Sequence, residues 1–286
     1  MAMSLDISTQ QQPIPILAYH QIDALPPRGT LWRELVTPAE RFRQEMRALA
    51  RRGWRCVSMR ELQPYLRGQR HGKVIGLTFD DGFLNNMQVL PILQEFGFTA
   101  TLYAMPGLIG GVNEWDRPAG IEIEPLMALE HMKAWLAAGM EIGSHTLNHV
   151  DLTECDAQQA HDEIHGSRRA LEDLLGCEVD SFCYPYGRLR DEHVDMVRAA
   201  RYTNACTCEM RRVQPGADML RLPRITSWST TPIPLFLAQV LTPLEDWRRN
   251  LGRALRPVQA PAVPTGGSSS PAKSPRAHRL RREHRA

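Results

Sequence analysis

The chain has 286 residues, of which 43% are hydrophobic and 23% are charged, and its formal net charge is +2 at pH 7. This composition is typical of globular proteins and excludes fibrous and wholly disordered classes. The length permits one large α/β domain with tails. From Pro257 onwards six basic residues face one acidic residue, a net charge of +5 that leaves −3 for residues 1–256. A slightly acidic body argues against nucleic-acid binding, which requires concentrated positive charge.

The N-terminal region lacks the pattern of an export signal. Residues 1–12 are polar without a basic cluster, and the apolar run 14–18 is shorter than a signal-peptide core. No stretch approaches the roughly 20 apolar residues that span a bilayer. We therefore expect a cytoplasmic protein. Its six cysteines are scattered, which favours reduced thiols, and Cys206-x-Cys208 lacks the spacer of common zinc knuckles.

Short apolar runs alternate with amphipathic helical patterns, as in repeated βα units. The predicted strands are 16–19, 74–79, 99–104, 140–144, 181–184, 203–207 and 222–226. The predicted helices are 38–52, 86–96, 125–138, 157–175 and 191–200, each with apolar residues at three- and four-residue intervals. In the longest of them, Ile164, Leu171, Leu174 and Leu175 are predicted to share one face.

Glycines mark the ends of several predicted helices. Gly97, Gly139 and Gly176 each follow a helical pattern, as expected for left-handed C-caps. Strands and helices in this order predict a parallel barrel or a doubly wound sheet, and periodicity does not separate the two. A further helix is predicted at 234–255. We assign 1–256 to one domain and 257–286, rich in Pro, Ala, Gly and Ser, to a disordered tail.

Two acidic residues follow the strand predicted at 74–79, which has the composition of a buried strand. Asp80 and Asp81 precede Gly82, at the strand end where α/β proteins place active sites. On a regular strand the two carboxylates would face opposite ways, but a turn at Gly82 would bring both to the rim. The alternative is a solvated turn, because Asp-Asp-Gly is also favourable turn chemistry.

Two histidines follow the strand predicted at 140–144. The spacing of His145 and His149 puts both imidazoles on one face if the segment turns helically. Two imidazoles and one carboxylate make a three-ligand metal site with an open position. Each histidine could instead be a structural polar residue. Because two separate strand ends deliver the acids and the histidines, we favour the metal site.

These segments resemble the polysaccharide deacetylase (NodB homology) family. Its first two motifs are similar to Thr78-Phe79-Asp80-Asp81-Gly82 and to Ser144-His145-Thr146-Leu147-Asn148-His149. Further similar segments are Ala18-Tyr19-His20, Tyr184-Pro185-Tyr186-Gly187 and Leu222-Pro223-Arg224-Ile225. The resemblance covers residues 14–228 in order. It implies an α/β fold, a distorted (β/α)7 barrel. It also implies an enzyme that hydrolyses N-acetyl groups on sugars.

The resemblance also implies roles for individual residues. Asp80 would be the general base, while Asp81, His145 and His149 would bind one divalent ion, usually zinc in this family. The backbone N–H of Tyr186 would donate to the oxyanion. A simple strand-to-loop turn is the alternative for residues 184–187.

Two departures from the family pattern affect the mechanism. Residues 182–184 are Phe-Cys-Tyr where the family usually has an Arg before the third motif's Pro, so Arg224 is our candidate for orienting Asp80. The family's late Leu-x-His is missing, which leaves the general acid open. His20 is a candidate acid or substrate contact, or a structural histidine. Trp115 and Trp228 are expected in loops, for sugar stacking or packing.

The expected function is metal-dependent deacetylation of an N-acetylated sugar in a glycan, or in a lipid-linked, nucleotide-linked or oligosaccharide precursor. The expected partner is therefore an N-acetylated carbohydrate, with no nucleic acid. The basic tail suggests weak association with an anionic membrane surface. Two alternatives stay open: an amidohydrolase of a non-sugar amide on the same fold, and a metal-binding or sugar-binding module with little catalysis.

Overall fold

A computed structural model describes residues 12–250, apart from the side chains of 249 and 250. The tail predicted at 257–286 and the end of the helix predicted at 234–255 lie outside this range. The strands are β1 (Ile16–Tyr19), β2 (Gln21–Ile22), β3 (Val36–Thr37), β4 (Arg55–Val57), β5 (Val74–Phe79), β6 (Thr101–Ala104), β7 (Glu141–Ser144), β8 (Ser181–Cys183), β9 (Asn204–Cys206) and β10 (Ile225–Thr226). The helices are α1 (Ala39–Ala50), α2 (Met59–Leu66), α3 (Leu90–Phe96), α4 (Leu129–Ala137), α5 (Ala157–Leu175), α6 (Asp191–Ala199), α7 (Ile233–Leu241) and α8 (Leu244–Asn250).

The main sheet is parallel and curled. Its order is β10-β1-β5-β6-β7-β8-β9, and β4 pairs with the first half of β5. Leu222 forms a parallel bridge to Cys206 in β9, and three residues later β10 pairs with β1. The segment before β10 therefore joins the two ends of the sheet, and the predicted distorted seven-stranded barrel is confirmed. A separate pair, β2 and β3, lies outside it.

The strand β5 is the longest of the buried barrel strands, and its composition explains its burial. All six of its residues are buried, as expected for a continuous apolar run in a parallel sheet covered on both faces. A side chain at Gly76 would lie within about 3 Å of Leu62 and Ile16, so only glycine fits between α2 and β1. The core thus packs tightly beneath the end of the strand that carries Asp80 and Asp81.

Several element boundaries differ from the predictions for identifiable reasons. The helix predicted at 86–96 starts as a 3-10 helix, Leu84–Val89, because Pro91 in the first turn of α3 has no N–H for an α-helical bond to the preceding turn. The helix predicted from 234 is divided at Pro243 into α7 and α8. In α5, Ile164 and Leu171 are buried, but Leu174 is 39% exposed, so the predicted four-residue face was wrong at its end.

The residues from 53 to 66 contain elements that the sequence patterns did not predict. The strand β4 has three residues, too few for a periodic signal, and α2 contains Pro64. Ser58 caps α2 by accepting a hydrogen bond from the backbone N–H of Glu61 (3.3 Å). As predicted, Gly97 and Gly176 end helices with positive φ, 63° and 67°.

Residues 12–250 contain neither a disulfide nor a helix that could span a membrane. All six cysteines of the chain fall in that range, and all six are free. Among the helices of the same range, none combines the length and the apolar character needed to cross a bilayer.

Candidate metal centre

The turn after β5 brings two adjacent carboxylates to the same rim of the barrel. Asp80 still belongs to the ladder, because its N–H donates to the carbonyl oxygen of Tyr19 (2.9 Å). Asp81 then adopts a left-handed conformation with φ 68°, followed by Gly82 with φ 63°. Left-handed backbone is tolerated by Asp and Gly better than by most residues. The alternation of a strand is thereby broken, and both side chains are buried at the carboxyl edge.

The segment after β7 does not turn helically, so the predicted helical basis for bringing the histidines together was wrong. Thr146 and His149 have positive φ values of 66° and 59°, and Thr146 Oγ1 accepts the N–H of His149 (3.0 Å). Glu163 of α5 accepts the N–H groups of Leu147 (2.8 Å) and Asn148 (3.0 Å). A buried carboxylate on the neighbouring helix therefore shapes this loop in place of helical hydrogen bonds.

The two loops place three candidate metal ligands against one another. Asp81 Oδ1 lies 3.4 Å from His145 Nε2 and 3.2 Å from His149 Nε2. One ligand atom from each residue falls within 4.8 Å of the others, and all three residues are buried. The structure thus brings together the three residues that the sequence singled out as metal ligands.

The hydrogen bond at the other nitrogen of His145 indicates what this cluster can hold. His145 Nδ1 lies 2.7 Å from the carbonyl oxygen of Cys183, and a carbonyl only accepts, so Nδ1 carries the hydrogen. In the neutral imidazole the lone pair on Nε2 therefore points towards the carboxylate of Asp81. Two acceptors at this distance need a cation between them. Two imidazoles and a carboxylate suit a divalent ion such as zinc.

Burial at His149 strengthens the requirement for a cation in the cluster. It lowers the pKa of His149, although the nearby carboxylate of Asp81 opposes the shift, so protonation alone is a costly way to neutralise the cluster. Burial by itself would raise the pKa of Asp81, but the two imidazoles that face this carboxylate hold its pKa well below the ordinary value. The carboxylate is therefore ionised and available as a ligand at neutral pH.

Asp80 is paired with Arg224 inside the barrel. Arg224 Nη1 donates to Asp80 Oδ1 (2.6 Å) and Nη2 donates to Oδ2 (2.7 Å). The same guanidinium donates to Thr78 Oγ1 (3.0 Å) and to the carbonyl oxygen of Thr207 (3.0 Å). Arg224 is 1% exposed, so this planar fork holds the carboxylate in one orientation.

Two further residues lie beside Asp80. Cys183, where the family pattern usually has Arg, accepts from Arg224 Nη2 (3.1 Å) and places its sulfur 3.9 Å from both oxygens of Asp80. His20 Nε2 lies 3.9 Å from Asp80 Oδ2. Burial alone would raise the pKa of Asp80, but the charge and hydrogen bonds of Arg224 lower it below its usual range. Asp80 is therefore ionised at neutral pH.

Trp115, expected in a loop, lies in a short 3-10 helix (Glu114–Ala119) between β6 and α4, and its ring and that of Tyr186 border the histidines. The ring centroid of Trp115 is 4.4 Å from that of His149, and the centroid of Tyr186 is 4.8 Å from it. Tyr186 has φ 58° and is 44% exposed. The adjacent Gly187 also has positive φ, and a Cβ there would lie 2.6 Å from the backbone nitrogen of Cys208. Trp228 is half-buried after β10, with its carbonyl oxygen bonded to the N–H of Thr231 (2.9 Å).

Sequence reasoning missed two residues that support the site. Glu163 lies on the buried face of α5 with Ala160 and Ser167. An acidic residue on an otherwise small and apolar helix face could have identified it from the sequence. Asn113 is fully buried and its amide bonds hold the loop that carries Trp115. An isolated Asn in a long loop carries no comparable signal.

Comparisons with known proteins agree with this architecture. Residues 67–205 match the family model described as polysaccharide deacetylase. The chain is 25% identical over 215 residues to YxkH of Bacillus subtilis strain 168, described as a polysaccharide deacetylase, covering 74% of this chain and 70% of that protein. It is 29% identical over 97 residues to a chitooligosaccharide deacetylase of a Bradyrhizobium strain, covering 33% of this chain and 37% of that protein.

A solved structure shows the same fold over most of the chain. A deacetylase from Streptococcus pyogenes in complex with acetate superposes with a TM-score of 0.70 at 24% identity. The match covers 80% of this chain and 99% of that chain. The chain is therefore similar to polysaccharide deacetylases in sequence and shares the fold of a solved deacetylase.

Proposed function

We propose that this chain is a metal-dependent hydrolase that removes the N-acetyl group of an N-acetylated sugar in a glycan or glycan precursor. The observation that carries the proposal is the buried set Asp81, His145 and His149, with Asp80 beside it at the same rim. Converging ligands next to an ionised carboxylate are the requirements of metal-assisted amide hydrolysis. We assign this activity to a catalytic domain spanning 1–256.

The three ligands and Asp80 have separate tasks in this proposal. Asp81, His145 and His149 would hold one divalent ion, with zinc the best match to the donor set. Such an ion, when bound, lowers the pKa of a water molecule and polarises the acetamide carbonyl. Asp80 removes a proton from the attacking water, because Arg224 keeps the carboxylate ionised and oriented. The lowered pKa makes Asp80 a weaker base, but a fully ionised one.

Two other groups stabilise the oxyanion and protonate the leaving amine. The backbone N–H of Tyr186 donates to the carbonyl oxygen as it gains negative charge, and one such donor is worth about 3 kcal/mol. His20 donates a proton to the leaving amine. Its position at the carboxyl end of β1 supports this role, since its Nε2 lies 3.9 Å from Asp80 Oδ2. Arg224 acts by positioning Asp80.

The relatives support the proposed substrate class. Polysaccharide and chitooligosaccharide deacetylases are among the curated proteins that this chain resembles, which supports an N-acetylhexosamine unit. A cytoplasmic location and weak contact between the basic residues 257–286 and anionic membranes stay part of the proposal. Cell fractionation tests the first. Unchanged partition into anionic liposomes after deletion of 257–286 would remove the second.

The central experiment combines metal analysis of the purified chain with mass spectrometry of candidate substrates. We expect about one equivalent of a divalent ion per chain and a loss of about 42 Da per acetyl group from N-acetylglucosamine oligomers. Asp81→Asn should lose both, while Asp162→Asn, an exposed acidic residue on α5, should lose neither. A metal-free but active protein would overturn the proposal. Ring opening of cyclic ureides without acetate release would favour a non-sugar amidohydrolase.

The division of proton transfers is tested by two variants. Asp80→Asn should lower kcat about a thousandfold with zinc still bound, and His20→Gln should lower it about a hundredfold. If His20→Gln retains most of the turnover, His20 is not the acid. Sugar binding without any acetate release by the zinc-loaded wild type would indicate a binding module instead.

A further inference from the structure

We propose that Trp115 is a positioning residue for His149, and that aromatic contact, instead of a hydrogen bond, orients this imidazole towards the metal centre. The inference rests on the proposed function, because it takes His149 to be a metal ligand. It concerns a residue that the motifs do not include.

The two histidines of the cluster are held differently. His145 is oriented through Nδ1, which donates to the carbonyl oxygen of Cys183 (2.7 Å). His149 Nδ1 is buried and has no hydrogen-bond partner among residues 12–250. Histidines that bind metals almost always donate their second ring nitrogen to an acceptor, and that bond fixes the ring. For His149, another contact has to supply the restraint.

Two aromatic side chains supply it. The Trp115 ring lies at an interplanar angle of 34° to His149 with a centroid separation of 4.4 Å, and Tyr186 lies at 65° and 4.8 Å. Rings this close limit rotation of the imidazole about its χ angles. Tyr186 is itself covered by Arg188, with 5.9 Å from the guanidinium to the ring centroid. Arg188 pairs with Asp151, two residues after His149 (2.6 Å).

Trp115 is fixed by contacts that do not involve His149. Asn113 Nδ2 donates to Asp116 Oδ2 (2.8 Å), and Asn113 Oδ1 accepts the N–H of Glu124 (2.6 Å). These bonds close the loop that carries Trp115. Phe83 packs against the indole at a centroid distance of 6.4 Å. The indole is therefore held in place independently of His149, and the imidazole packs against it.

The test measures zinc affinity by chelator competition and records the visible absorption of the cobalt-substituted protein. Trp115→Leu keeps an apolar side chain but removes the ring, so we expect zinc affinity to fall about tenfold and the cobalt bands to shift. Trp115→Phe keeps a ring and should stay within about threefold of wild type. Trp247→Leu, at a 59% exposed position on α8, is the matched control and should change neither.

The outcomes separate this inference from the proposed function. If wild type binds zinc, Asp81→Asn does not, and Trp115→Leu keeps wild-type affinity and spectrum, the role of Trp115 is wrong and the metal centre stands. If wild type binds no metal, both fall. Should Trp115→Leu not fold, Asn113→Ala loosens the loop without altering the ring, and an affinity loss of about threefold is expected. An unchanged affinity in that variant would overturn the inference.

Discussion

Glu141 and Asp81 are buried carboxylates on the same sheet, but they lie at opposite edges and have opposite kinds of partner. Glu141 begins β7 and accepts hydrogen bonds from Thr101 Oγ1 (2.6 Å), Ser181 Oγ (2.6 Å) and the backbone N–H of Arg60 (2.8 Å). Every partner is a hydrogen-bond donor, so contacts within the fold are sufficient to stabilise the buried Glu141 carboxylate. Its burial needs no ligand.

Asp81 follows β5 at the carboxyl edge and faces the Nε2 atoms of two imidazoles. At least one of these, on His145, carries a lone pair in the neutral form, because the hydrogen sits on Nδ1. Burial of a carboxylate is thus not evidence of function by itself. The chemical nature of the facing atoms distinguishes a structural acid from a metal ligand.

Arg224→Met is expected to have the largest effect, because it removes the guanidinium that pairs with both oxygens of the buried Asp80 carboxylate. We expect kcat to fall about a thousandfold. The free energy of unfolding at pH 7 should fall by about 3 kcal/mol. Initial rates and urea unfolding measure the two losses.

The pH dependence of that stability loss is its control. Arg224 lowers the pKa of Asp80 in the folded state, so the stability it contributes is present above the unfolded pKa of about 4 and is lost as the pH falls through the folded value. The difference in free energy of unfolding between wild type and Arg224→Met should therefore decrease as the pH falls from 5 to about 3. An equal gap at both pH values would mean that packing, not charge pairing, explains the loss.

Glu141→Gln and Asp81→Asn separate a structural acid from a metal ligand. Glu141→Gln should lower the free energy of unfolding by about 2 kcal/mol and keep zinc binding, because only structural donors lose their acceptor. Asp81→Asn should abolish zinc binding and leave the metal-free stability within about 1 kcal/mol of wild type. Isothermal titration with zinc and urea unfolding in EDTA measure both. Comparable effects of the two variants on zinc would contradict the distinction.

Glu163 combines both roles, since it is structural yet shapes the loop between the two histidines. Glu163→Gln keeps one oxygen for the N–H groups of Leu147 and Asn148 but loses the oxygen that accepts Asn148 Nδ2, which should cost about 1.5 kcal/mol of stability. Zinc affinity should fall about tenfold. Glu154→Gln, an acidic residue in the same loop region that is not bonded to these N–H groups, is the control. Unaltered zinc affinity in Glu163→Gln would show that the loop holds its shape without this acid.

Asp116 gives the smallest and most pH-dependent effect. Burial raises its pKa to about 6, despite the hydrogen bond from Asn113. Folding therefore opposes its ionisation. The resulting loss of folding stability is absent below the unfolded pKa of about 4 and complete above about 6. In EDTA, Asp116→Asn should be about 1 kcal/mol more stable than wild type at pH 7.5, after allowance for solvent screening. At pH 4 the two should match, and a difference that persists there would contradict this origin.

The sequence predicted the main architecture better than it predicted the local geometry of the site. The strand β5 and the helix α5 have the predicted bounds, because long, regular hydrophobic patterns report burial directly. The short strand β4 and the helix α2 with its internal Pro64 were missed. The histidine loop does not form the helical turn on which the spacing argument for His145 and His149 depended, and Glu163 on another element accepts its N–H groups.

The sequence by itself determined which side chains stand at the carboxyl ends of parallel strands, since topology brings those ends to one edge of the sheet. That was enough to single out Asp80, Asp81, His145 and His149, and the absence of the usual family Arg was enough to nominate Arg224. Tertiary structure decided the partners of these residues: Arg224 reaches Asp80 across 144 positions of chain, and Trp115 reaches His149 from a different loop. Periodicity reports which face of an element is buried. It carries no information on which distant atom completes a contact, and those contacts determine charge, tautomer and orientation at the site.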